Sequence, residues 1–119
     1  MAGKIEWITH EGKKILFNDR SGLRNEEIIE NVKSAVDLIM SLPQNDILYL
    51  IDNSNTIITP DIKEYITKAA KTIDPKVKKT AVLGASKSQQ VMLNIYSMTT
   101  GMNIRLFDTR EAALKYLVK

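Results

Sequence analysis

The sequence contains no cysteine. Disulfides, a thiol nucleophile and cysteine metal sites are therefore excluded, and the absence fits a reducing compartment. Histidine is reduced to a single residue, His10. No segment approaches the roughly 18 apolar residues of a membrane span. The opening stretch MAGKIEWITHEGKKI lacks the apolar run of a signal peptide. These absences lead us to expect a soluble, cytoplasmic protein. Gly-x-Ser-x-Gly elbows and Gly-x-x-x-x-Gly-Lys loops are missing too, so two common routes to serine hydrolysis and nucleotide binding are unsupported. There is no repeat, low-complexity segment or linker.

What is present suits one domain spanning residues 1–119. Net charge is +3, unevenly spread: residues 1–59 carry 6 basic and 9 acidic groups, residues 60–119 carry 11 and 5. Lys68, Lys71, Lys76, Lys78 and Lys79 dominate the second half. A solvated face is the simpler reading, and an anionic partner the sharper one. The lysines are not interleaved with aromatics, so no nucleic acid is expected.

The chain alternates between two periods. Lys4 to Thr9 and Lys13 to Asn18 read as strands of a hairpin closed through Gly12. Asn25 is placed to cap a helix, with Glu26 and Glu27 in its first turn. Ile28, Ile29, Val32, Val36, Ile39 and Met40 follow in helical rhythm, and Pro43 lies past the end. The run ILYLI, 47–51, suits a strand buried on both faces, as in a parallel sheet. Thr59-Pro60 opens a second helix as cap and first residue. Its stripe runs Ile62, Tyr65, Ile66, Ala69, Ala70, Ile73, and Glu64 and Lys68 pair on its back. Val77 to Leu83 is a further strand, ended by Gly84. Ser86 with Gln89 has capping-box spacing and starts a third helix reaching about Thr100, with Gly101 at its C-terminus. Ile104 to Phe107 is a short strand. Asp108 with Glu111 repeats the cap spacing before the last helix. The order β-β-α-β-α-β-α-β-α predicts an α/β fold: a mixed, largely parallel sheet of four or five strands with four helices.

Several pieces in sequence order carry a family resemblance. They are IDNSNTIITPDIKEYI, then Ala81-Val82-Leu83-Gly84, Thr100-Gly101, and Phe107-Asp108-Thr109 leading into Glu111-Ala112. Together, over residues 46–118, they resemble the STAS superfamily (sulfate transporter and anti-sigma factor antagonist), in particular its small stand-alone bacterial proteins. The resemblance implies a regulatory or binding role, and with no base placed for Ser54 we expect a non-enzymatic domain. It also implies a shape related to the CRAL-TRIO lipid-binding domains, hence a carrier of a small apolar or lipid-like ligand as an alternative. Anti-sigma antagonists carry a phosphorylatable serine in an Asp-Ser-Ser-Gly-like motif at a helix start. Here that region is Ile57-Ile58-Thr59-Pro60-Asp61, with Thr59 as the nearby hydroxyl and Ser54 a few residues earlier. Ser54 and Thr59 are thus the candidates for a phospho-switch.

In an open α/β sheet, function gathers beyond the carboxyl ends of the strands. Asn53, Ser54 and Thr59 from one loop and Ser86, Lys87 and Ser88 from another are expected to form such a binding rim. A serine nucleophile needs a base, and His10 lies in the hairpin turn, so catalysis through Ser54 is not expected. Asn-Ser-Asn-Thr is also ordinary turn chemistry. The third helix has an inner stripe of Val91, Ile95, Met98 and Met102, which Met92, Leu93 and Tyr96 widen to about half the circumference. Burial accounts for such width. So does a surface for a second copy, a protein partner or a small apolar or anionic ligand, with Met92 and Tyr96 as contacts. Trp7 is expected in the core or covering one sheet face. No metal or cofactor is implied.

Overall fold

The computed structural model describes residues 3–85, 87, 90, 101 and 103–119. Five strands form one sheet: β1 (Lys4–His10), β2 (Lys13–Asp19), β3 (Ile47–Asp52), β4 (Val77–Leu83) and β5 (Ile104–Phe107). They lie in sequence order, β1-β2-β3-β4-β5. β1 is antiparallel to β2, and every later pairing is parallel. The hairpin closes through Glu11 and Gly12, both at positive φ. Two such residues give the turn whose twist matches that of the flanking strands. His10 pairs with Lys13, so it ends β1 and is not a turn residue.

Three α-helices are described in full: α1 (Glu26–Ser41), α2 (Pro60–Ile73) and α3 (Arg110–Val118). The third helix expected from sequence, about 89–100, lies outside the described residues except for Gln90, and Ser86, Ser88, Met92 and Tyr96 lie outside them too. No helix among the described residues is long and apolar enough to cross a membrane.

Parallel strands need cover on both faces, and their alternation supplies it. Leu16, Tyr49, Ile51 and Val82 face α1, meeting Ala35 and Ile39, with Ile73 of α2 in the same cluster. Ile28, Val32 and Ile62 join α1 to α2. Ile15, Phe17, Leu48, Leu50, Ala81 and Leu83 face the other way, against Ala113 and Leu117 of α3. The ILYLI run is buried throughout.

Several local expectations change. Asn25 sits at φ 45° and its side chain accepts nothing from α1. The N-terminal turn is held instead by Glu27, whose carboxylate accepts from the Arg24 N–H at 3.2 Å. The last helix is capped by Thr109, not Asp108: Ala112 N–H donates to Thr109 Oγ1 at 3.2 Å, because the first helical residue is Arg110. Trp7 is 41% exposed on the edge strand, where no strand lies beyond it. Met40 and Tyr65 are also exposed. Each lies at the margin of its helix's apolar stripe and turns outward.

Candidate functional site

The register aligns the strand ends. Asp19 is level with Asp52, Asp52 with Leu83, and Leu83 with Phe107. The loops leaving these ends meet as a rim. Asp52 Oδ1 accepts from the Ser54 N–H at 2.9 Å, turning the chain at once. Asn53 N–H donates to Leu83 O at 2.8 Å, and Gly22 N–H to Ser54 O at 3.0 Å. Arg24 adds a guanidinium bond to Asn55 O. Three loops are thereby laced through their backbones. Gly84 makes the closest approach possible. At φ 80°, a Cβ there would lie 2.5 Å from Ser54 Cα and Oγ.

Ser54 is therefore a turn residue wedged against Gly84. His10 cannot reach it, since it stands at the opposite end of the sheet, six residues of β2 away or about 20 Å. Thr59 caps α2, its Oγ1 accepting from Ile62 N–H at 3.4 Å. Lys87 is exposed. The lysines of the basic half are scattered in purpose: Lys76 donates to Leu42 O at the end of α1, Lys79 to Tyr116 O at the end of α3, and Lys68 pairs with Glu64 at 3.5 Å. Cations at helix C-termini meet the negative end of the dipole.

Beneath the rim lies a polar group that sequence reading did not single out. Asn18 and Asn31 are fully buried and exchange two amide bonds, 2.9 Å and 2.8 Å. Asn18 also donates to Tyr49 OH at 2.9 Å. Arg20 is only 4% exposed, and its Nε donates to Asn31 Oδ1 at 2.8 Å. A buried polar atom normally has a partner. Two here have none: Arg20 Nη1 and Asn53 Oδ1. Arg20 takes part in none of the ion pairs among the described residues. The nearest acids in sequence are engaged with backbone: Asp19 Oδ1 accepts from Ser21 N–H and Oγ–H, and Asp52 from Ser54.

Both unpartnered residues line a cavity of about 90 Å³ between α1, α2 and the sheet. It runs from the rim towards the start of β4. Below Arg20 and Asn53 its wall is mostly apolar, including Val32, Ile51, Ala69, Ile73 and Val82. Its size would hold on the order of six waters. A wider hollow of about 300 Å³ lies at the other end of the sheet, beside Trp7, Lys13, Lys14 and Lys78. Its charged groups sit at the surface, where water serves them. Of the described rim residues expected from sequence, Asn53 alone contributes to the cavity. Arg20 was hidden in a polar loop. Asn31 had a signal: it stands three residues after Ile28 and four before Ala35, on the apolar face of α1.

No family model and no curated protein sequence matches this chain. Solved structures share its fold. An uncharacterized protein from the DUF3478 family with a SpoIIAA-like fold, from Shewanella loihica PV-4, superposes with a TM-score of 0.74 at 16% identity, covering 96% of this chain and 92% of that one. An anti-sigma-factor antagonist (STAS) domain protein from Planctomyces limnophilus gives 0.64 at 14% identity, covering 97% and 98%. The fold is STAS-like, as the sequence motifs implied.

Proposed function

We propose that this STAS-like chain is a non-catalytic binding domain that holds a small ligand between α1, α2 and the sheet, and acts as a regulatory module or carrier through it. One observation carries the reading: an apolar cavity whose rim end presents a buried donor and a buried acceptor, neither satisfied. Leaving such atoms unpaired costs about 1–3 kcal/mol each. A ligand that pairs them recovers this, and the apolar wall adds contact. Ser54 supports the absence of turnover, since its loop is fixed by backbone bonds and the lone histidine is at the far end of the sheet.

Native mass spectrometry of protein from its own host, repeated after denaturation, tests this. Extra mass that disappears on denaturation is expected. A bare protein whose melting temperature no small molecule raises would refute the reading. A second reading, recognition of a protein partner or a second copy through the rim, is favoured by Ile57, which is 63% exposed among polar loop residues. Ile57→Asp should abolish partner capture or self-association while leaving the melting temperature unchanged. Covalent mass surviving denaturation at Ser54 or Thr59 would support a phospho-switched regulator instead.

A further inference from the structure

We infer that the ligand of this cavity is a small organic carboxylate, its head held by Arg20 and its short hydrocarbon tail lying against Ala69, Ile73 and Val82. This rests on the reading above that the cavity is a ligand site. The charge on Arg20 is the deciding fact. A lone ion taken out of water costs several kcal/mol even after relaxation. Lysine, histidine and carboxylates escape that cost by changing protonation, but arginine cannot. Its one side-chain partner, Asn31, is neutral, and both acids flanking the rim are turned to loop backbone. An anion from outside the chain is the remaining compensation.

A guanidinium pairs with carboxylate or phosphate, and the number of free donors decides between them. A phosphate would bring more acceptor oxygens than the polar end can serve, since Arg20 Nη1 is the one unsatisfied donor there among the described residues. Asn53 Oδ1 is an acceptor and needs a donor beside the head. A bridging water, or a hydroxyl next to the carboxylate carbon, would supply it. Among the described residues, Asp74 is the one other charged residue lining the cavity and is exposed; the wall between is mostly apolar and accepts hydrocarbon. Room for about six waters limits the tail to roughly four to six carbons.

The test uses ¹⁵N-labelled full-length chain titrated with hexanoate, with hexanamide (the same tail with a neutral head) and with inorganic phosphate. Hexanoate should shift the amides of Arg20, Ala69 and Val82 saturably. Hexanamide should bind about tenfold or more weakly, the difference expected of a hydrogen bond to a charged group. Arg20→Gln should make the two indistinguishable. If hexanamide binds wild type as tightly as hexanoate, the carboxylate inference fails and the cavity remains a ligand site. If neither saturates, the ligand-site reading fails with it. Phosphate displacing hexanoate at equal concentration would overturn the choice of carboxylate. Should Arg20→Gln fail to fold, Ala69→Leu fills the tail end and should weaken hexanoate tenfold or more. Unchanged hexanoate affinity in that variant would overturn the placement.

Discussion

Asn31→Leu isolates the energetics of the buried polar group. The substitution keeps the side chain close in size and removes both polar atoms. Asn18 keeps Tyr49 as a partner for its Nδ2 but loses the donor to its Oδ1. Arg20 loses its single side-chain bond at Nε. Asn18 is fully buried and Arg20 only 4% exposed, so water replaces little of what is lost. A neutral orphan costs about 1–3 kcal/mol and a lost bond to a charged group about 1.5–3. The variant should be destabilised by roughly 3–5 kcal/mol, a large share of the 5–15 kcal/mol typical of a domain. Urea unfolding followed by far-ultraviolet circular dichroism measures this, with an unchanged slope showing that the denatured state is comparable. Removing the whole group in Asn18→Leu/Arg20→Met/Asn31→Leu should recover at least half the loss, because the penalty lies in leaving partners unpaired. A cost below about 1 kcal/mol for Asn31→Leu would refute the account, since the group would then be reached by water.

Gly84→Ala should cost roughly 2–3 kcal/mol in the same assay, combining the left-handed φ with a clash against Ser54 backbone; a neutral result would mean the loops are not packed as described. Thr59→Ala should lose about 1 kcal/mol of cap energy, whereas Thr59→Ser should lose little; equal losses would show that the hydroxyl is not the cap. Burial raises the pKa of Tyr116 from its ordinary 10.0, an effect that the Arg105 charge partly offsets. The folded chain therefore keeps this proton where the unfolded chain has lost it, so the contribution is intact below pH 10 and fades as pH climbs through the folded value. A tyrosinate absorbance titration of wild type minus Tyr116→Phe should show a component ionising above pH 10, and one at or below 10 would contradict the burial.

The fold was legible because its signals were local and mutually consistent. ILYLI could hardly be other than a doubly covered strand, and Thr59-Pro60 start α2 where capping chemistry says. The hairpin followed from Gly12, although His10 proved to be strand. The parallel order followed from alternation of elements. Strand order did not, because pairing depends on which faces close against α1 and α3. The site was least legible. Asn53 was picked for its loop position, but its distinction is a buried oxygen without a donor, and only packing reveals that. Arg20 reads in sequence as one more charge in a polar loop. It becomes unusual because Ser21 and Ser54 occupy the neighbouring carboxylates. Asn31 could have been flagged as a polar residue on an apolar stripe, but its partner Asn18 lies in another element.

The sequential strand order also bears on how the molecule is made. Each parallel strand docks beside the one translated just before it, so no strand has to wait for a distant partner or be inserted between two already paired. Loop closure stays short at every step, which favours fast assembly. The two faces of the sheet, however, close at different times. α1 and α2 arrive between strands and cover their side as it grows. Among the described helices only α3 covers the side bearing Phe17, Leu48 and Leu50, and it follows all five strands, so that cover comes last. During synthesis that open side, and not the finished surface, is where a nascent chain of this fold is most exposed to unwanted association.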